Sequence, residues 1–199
     1  MMKPIKLNKA YLSMEQNNLK NYQKYLPSLE LKRKKLQSER NMNQKQMNLY
    51  IQQESELQRR IETHLPMAFF NAETLKQWIH LDTIDIDQEN LVGVQLPVLR
   101  SIQFKIVDYA YFNSPHWMDC LIRLVCQSIE LRLHIKVMES RQILLNKSIQ
   151  TVTQRKNLFE KVLIPTALKN IRLIQIFLSD HERAAVVSSK IAKKKRQLS

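Results

Sequence analysis

The stretch LVCQSIELRLHIKVMESRQILLNKSIQTVTQRKNLFEKVLIPTALKNIRLIQIFLSDHERA, residues 124–184, decides how this chain folds. Read in sevens, it sets Leu124, Leu131, Met138, Leu145, Val152, Phe159, Thr166 and Leu173 in one register, apolar at seven of eight positions. Four residues further on, Ser128, Ile135, Gln142, Ile149, Lys156, Leu163, Asn170, Phe177 and Ala184 form a second register, apolar at five of nine. Spacing of alternately four and three keeps a seam on one side of an under-wound α-helix. Sustained over this many heptads, it predicts a long coiled-coil helix, about 90 Å at 1.5 Å per residue. Polar residues recur in the second register at every second heptad as far as Asn170. A seam that half polar is adequate for pairing but not optimised for it, which suits a rod that must also meet other surfaces.

A second long helix is expected over about residues 4–64. Tyr22, Leu29, Leu36, Asn43, Tyr50 and Leu57 recur every seven, with Leu26, Arg33, Arg40, Met47, Glu54 and Ile61 four behind. Leu7, Tyr11, Met14 and Asn18 continue the seam upstream with a slip of about one residue. Pro27 lies inside this helix and Pro165 inside the other. Each removes a backbone donor and crowds the preceding turn, so a kink is expected at both, since the heptads resume beyond them.

Residues 65–116 differ in kind, punctuated by Pro66, Pro97, Pro115 and the only glycine, Gly93. Residues 68–80 read as a short helix. Thr83–Asp87, Asn90–Leu96 and Ser101–Val107 show β-rich alternation, with Gly93 marking a bulge or a close backbone approach. The expected architecture is therefore mainly α. Two long antiparallel terminal helices, 1–64 and 117–199, form a coiled coil, and 65–116 makes a small central head with a short β-hairpin. If Leu65 and His116 are level, residues whose numbers add to about 181 face each other. Both termini then lie at the end remote from the head, where the last residues overhang.

The totals agree with that outline. One glycine in 199 residues leaves few tight turns, bulges or left-handed caps. It also excludes a Walker A loop and a dinucleotide fingerprint, which need several. There is no HExxH or GxSxG, and the five histidines stand without ligand spacing. No catalytic, cofactor-binding or metal-ligating residue is nominated. Cys120 and Cys126 match neither a redox nor a zinc spacing and read as buried small hydrophobes in a reducing compartment. The basic N-terminus lacks the apolar core of a signal peptide, and no run is expected to approach the ~18 apolar residues of a membrane span. Net charge is +14. Residues 1–64 carry +7, residues 65–116 carry −3 and residues 117–199 carry +10. The basic parts suit nucleic acid, an anionic membrane or an acidic protein surface. The sharpest feature is the tail with Lys190, Lys193, Lys194, Lys195 and Arg196, expected at the same end as Lys3, Lys6 and Lys9.

Both ends resemble the D subunit of the V-type and A-type rotary ATPases. At the N-terminus the residues are Leu7-Asn8-Lys9, Leu19, Leu26-Pro27, Leu29, Leu31-Lys32 and Leu36. At the C-terminus they are Arg155-Lys156-Asn157-Leu158-Phe159, Ile164-Pro165, Ile171, Ile174 and Asp180-His181-Glu182-Arg183. Between them, Val92-Gly93-Val94 and Leu96-Pro97-Val98 are similar to the family's glycine-and-proline hairpin. Leu26-Pro27 within the first helix departs from the family's pattern, and the resemblance is to a bacterial branch. It implies a central rotor shaft with no active site and no cofactor. The terminal helices enter a hexameric ring of catalytic A and non-catalytic B subunits, while the other end meets the F subunit of the stalk and the C/d-type subunit that caps the membrane rotor. Rotation couples ATP hydrolysis or synthesis to proton or sodium transport. It further implies that Lys3, Lys6, Lys9, Arg183, Lys190, Lys193, Lys194, Lys195 and Arg196 face the ring, in a complex peripheral to the membrane on its cytoplasmic side.

Two other readings compete. A basic coiled coil on nucleic acid would concentrate charge in one stripe and set base-stacking aromatics beside the tail, and this chain does neither. A tether on anionic membrane would use the polybasic tail, but no Trp/Phe-rich apolar face adjoins it. Neither nucleic acid nor direct membrane insertion is therefore expected.

Overall fold

The computed structural model describes residues 6–64, 66, 79–107 and 117–198. In chain order these form α1 (Lys9–His64), β1 (Ile79–Leu91), β2 (Val94–Ile106), α2 (Met118–Leu158), a π-helical turn (Phe159–Leu163) and α3 (Ile164–Leu198). The chain divides into two compact units, Lys34–Gln150 and Met1–Arg33 with Thr151–Ser199. Lys3 and residues 68–78 of the expected head helix lie outside the described residues. Ile79 and His80, assigned to that helix from sequence, belong to β1.

Helix α1 starts where its sequence supplies a cap. The Tyr11 N–H donates to Asn8 Oδ1 at 2.7 Å, and the Leu12 N–H to the Asn8 carbonyl at 3.1 Å. A side-chain oxygen placed so satisfies one of the orphan donors of a first helical turn. All twelve heptad positions expected between Tyr22 and Ile61 are buried or half-buried. The helix runs on through Pro27, where the Ser28 hydroxyl donates to the Tyr25 carbonyl at 2.7 Å.

In the unit of residues 34–150 the helices pair antiparallel. Glu39 meets Arg141, Asn43 meets Met138 and Gln142, Tyr50 stacks on His134 and Glu54 meets Arg132. Leu36 and Leu145 are fully buried. The simple facing rule sets Met47 against His134, whereas Tyr50 occupies that place, with ring centroids 5.0 Å apart. The rule holds at Glu39–Arg141 and Asn43–Met138 and is off by less than a turn at Tyr50–His134, because a knob enters a hole formed by several residues of the facing helix rather than meeting one of them; Asn43, for example, bonds to two positions a turn apart.

The hairpin of this unit pairs Ile79↔Ile106 through Leu91↔Val94. Its loop is Val92-Gly93, with φ of 51° and 80°, the two-residue arrangement whose twist matches that of paired strands. The Gly93 N–H donates to Asn90 Oδ1 at 2.8 Å. Gly93 is thus the loop's second residue and not a bulge. The register shifts fall between Leu81 and Thr83 and between Asp85 and Ile86. The three β-rich runs expected from sequence become two strands because the middle run, Asn90–Leu96, contains the loop. Pro97 sits in β2 opposite Gln88.

In the other unit, Tyr22 meets Phe159 edge-on at 5.5 Å, and Lys156 Nζ lies 2.8 Å from Glu30. The π-helical turn follows at once, with the Ile164 N–H donating to the Phe159 carbonyl, and it ends just ahead of Pro165. A π-turn inserts one residue into the α-helical count and rotates everything downstream by roughly 100°. The seam expected at Thr166, Asn170, Leu173 and Phe177 accordingly moves by one. Ala167, Ile171 and Ile174 are buried, while Leu173 and Phe177 are each 45% exposed. On α1, Glu15 rather than Met14 is buried, and Leu7 is exposed. Cys120 is exposed and Cys126 half-buried, both free. Six residues turn a helix by roughly 240°, so the two cannot share one buried face, and the expectation of burial fails for Cys120.

Candidate subunit interface

Lys9 heads α1, and its first turn lies beside the residues Gln175–Glu182. Lys9, Leu12, Gln175, Leu178, Ser179 and Glu182 line a shallow groove of about 280 Å³. A second, wider hollow of about 610 Å³ is lined by Ser179, Glu182, Arg183, Val186 and Val187. Lys6 is exposed just ahead of the cap. From Asp180 to Gln197 every residue of α3 is exposed, including Arg183, Lys190, Lys193, Lys194, Lys195 and Arg196. The structure therefore brings Lys9 and Arg183 to neighbouring grooves and carries the other cations along one exposed helix. Lys195 and Arg196 fall in its last turn, where cations complement the negative end of the helix dipole.

This segment offers charge and apolar surface together. Six cations face two carboxylates between Asp180 and Gln197, and Val186, Val187 and Ile191 are each more than half exposed. Such a surface suits a carboxylate-bearing protein partner. Each exposed ion pair made there would contribute about 0–1 kcal/mol and weaken with salt.

A second set of residues, missed in the sequence, fixes how the helices pair. Asn43 Nδ2 donates to the Met138 carbonyl at 3.0 Å and to Gln142 Oε1 at 2.9 Å, and Gln142 Nε2 donates to Gln44 Oε1 at 3.0 Å. Arg141 is buried and reaches Glu39 at 3.1 Å and hairpin residue Glu89 at 3.9 Å. Lys156 lies between Glu30 and Glu160, at 2.8 and 3.5 Å. Hydrogen bonding to Glu30 raises the Lys156 pKa above the ordinary lysine value. The signal is present as Gln142 and Lys156 in the second register and Asn43 in α1. The heptads mark these residues as flaws without naming their partners.

On the hairpin, Asp82, Asp85 and Asp87 are exposed. Arg100 holds Asp87 at 2.8 and 3.1 Å, and this hydrogen bond lowers the Asp87 pKa below the usual carboxylate value. Among the described residues, no three His, Cys, Asp or Glu side chains converge as metal ligands would. One 18-residue window within Met118–Gln197 reaches a mean hydropathy of 1.3 with few charges, so by length and composition it could cross a membrane. That corrects the expectation of no such run. Its apolar positions serve a seam on one side and remain exposed on the other.

Long helices paired antiparallel through polar layers, a two-stranded hairpin with 13 residues in each strand and an exposed basic extension define a mainly α protein of the antiparallel coiled-coil class. The family model for the D subunit of ATP synthase matches residues 12–194. The chain belongs to this family of ATP synthase D subunits. It is 32% identical over 192 residues to the V-type ATP synthase D subunit of Borreliella burgdorferi, covering 96% of this chain and 95% of the relative. With the Chlamydia trachomatis protein of the same name it shares 31% over 204 residues, covering 99% and 98%. With that of Chlamydia pneumoniae it shares 30% over 199 residues, covering 98% and 94%.

Proposed function

We propose that this chain is the central-stalk rotor component of a V-type ATPase or ATP synthase. It transmits rotation between ATP turnover in a catalytic ring and proton or sodium transport in the membrane sector. The observation that carries the reading is the match to the family over residues 12–194, in a chain built of long, antiparallel-paired helices. The chain performs no catalysis of its own. Lys6, Lys9, Arg183, Lys190, Lys193, Lys194, Lys195 and Arg196 face the ring of A and B subunits, as does Lys3. The F subunit of the stalk and the C/d-type cap meet the chain elsewhere, and the complex is peripheral on the cytoplasmic side of the membrane. Pro27 and Pro165 act as helix kinks within the shaft, and residues 1–64, 65–116 and 117–199 act as first helix, head and second helix.

The test is reconstitution. A ring and membrane sector lacking this stalk component should hydrolyse ATP without pumping, and adding this chain with its stalk partners should restore ATP-driven transport. Failure to restore transport, or copurification from the native cell with nucleic acid in place of ring components, would overturn the reading.

A further inference from the structure

We infer that the hairpin presents a docking face for an amphipathic helix with basic flanks, carried by a protein already held on the stalk. The inference rests on the stalk reading above. Four apolar cross-strand pairs follow one another in the half of the hairpin remote from its loop: Ile79↔Ile106, Leu81↔Phe104, Ile84↔Ile102 and Ile86↔Leu99. Paired residues share a face, and strict alternation along a strand would throw neighbouring pairs to opposite faces wherever their spacing is three. The spacing is three at two places, from Leu81 to Ile84 and from Ile102 to Leu99. The two register shifts fall at those places, and each admits one extra residue, Asp82 and Arg100. Such bulges re-aim side chains, and here they keep all eight apolar residues on one face. His80↔Lys105, Thr83↔Gln103 and Asp85↔Ser101 take the other. On the apolar face Leu81, Ile84, Ile86 and Ile106 remain exposed, Ile86 by 51%. Glu89 and Leu96, which hold the hairpin near its loop, alternate onto the face opposite Ile86 and Leu99, so their contacts do not cover the stripe.

The dimensions of the stripe choose its occupant. Eight strand residues span about 26 Å and two strands about 10 Å, a bed for one α-helix of about 17 residues. That footprint, roughly 260 Å², is well short of the ~800 Å² per partner of a stable free-standing complex. A second copy would not be held by this face alone, so the occupant is a chain already anchored elsewhere on the stalk. Charge chooses its flanks. Strand β1 carries four carboxylates and no Lys or Arg. Asp87 is bound by Arg100 and Glu89 by Arg141, which leaves Asp82 and Asp85 exposed along the stripe. In a chain of net charge +14, this acidic strand suits Lys or Arg bordering an apolar helix face and repels an anionic membrane.

The test is to find what covers Ile84. A photo-reactive benzoylphenylalanine replacing Ile84 in the full chain, irradiated in the assembled complex, should cross-link to one helical segment of a stalk component, with Lys or Arg bordering its apolar face. Cross-linking into residues 67–78 of the same chain, into a second copy or into lipid, or no product at all, would overturn the inference. Leu81→Lys with Ile86→Lys should weaken association with that component about tenfold, with helix content and β1 and β2 amide exchange as in the parent. Asp82→Asn with Asp85→Asn should keep the cross-link, slow association about threefold and flatten its dependence on salt. Equal affinity in the Lys variant, or an unchanged salt dependence in the Asn variant, would also overturn it. If the parent chain joins no stalk component, the stalk reading itself fails, and the site with it.

Discussion

Lys156 shows what a single side chain contributes at a seam position that heptad counting treats as a defect. Its side chain is half-buried in the seam, with the ammonium 2.8 Å from Glu30 and 3.5 Å from Glu160. Its pKa is raised, chiefly by the hydrogen bond to Glu30. A group whose folded pKa lies above its unfolded value stabilises fully below the unfolded value and loses that contribution as pH rises through the folded one. Lys156→Met should therefore lower thermal stability by an amount that is constant from neutral pH up to the ordinary lysine value of 10.5 and shrinks only above it. Paired melting curves for the parent and variant across the alkaline range check this. A difference that closes already at neutral pH would mean that the ion cluster is not what the substitution removes. Asp87 behaves in the opposite sense. Its pKa is lowered by Arg100, so its contribution to the hairpin persists at neutral pH and is lost as pH falls through that lowered value.

At the scale of elements, the hairpin loop carries a local conflict. Val92 is β-branched and sits at φ 51°, where only Gly, Asn and Asp are at ease. Val92→Asn should stabilise the hairpin by about 1 kcal/mol, and Gly93→Ala should destabilise it by a similar amount, about 1 kcal/mol. Hydrogen exchange of the β1 and β2 amides reads both changes locally; equal exchange in all three chains would mean that the loop does not control the hairpin. The same scale shows what the sequence could carry. The long helices were legible because every heptad position between Tyr22 and Ile61 obeys one period and tertiary packing rewards it. The π-helical turn was not, because Leu173 and Ile174 are both apolar and either could continue the seam. Hydrophobic pattern cannot register a one-residue phase slip between two equally apolar neighbours. The hairpin was legible from its β-branched runs, but those runs alone did not locate its loop, because Val92, a poor turn former, stands where the chain reverses.

For the whole molecule, the basic extension was legible both as composition and as an overhang, since the facing rule leaves the last residues without a partner and Asp180 to Gln197 are exposed. Removing residues 190–199 leaves every buried seam residue in place. The truncated chain should keep its helix content and stability within about 0.5 kcal/mol, as surface changes usually do, yet lose assembly with the ring at lower salt than the full chain. A salt titration of assembly decides it; identical salt midpoints would mean that the tail does not touch the ring. The polar seam layers have a further consequence, for errors. Gln142 and Lys156 stand two heptads apart on α2, about 21 Å along the axis, with apolar Ile149 between them. If one helix slid by a single heptad, Asn43 would still meet a backbone carbonyl, of Leu131 or Leu145, but would face apolar Ile135 or Ile149 in place of Gln142 and lose its side-chain bond. Only a slip of two heptads restores polar to polar, and that forfeits roughly 21 Å of pairing. The alternation acts as a parity check written into the sequence, in which the commonest misreading of a heptad repeat is the one that fails to balance.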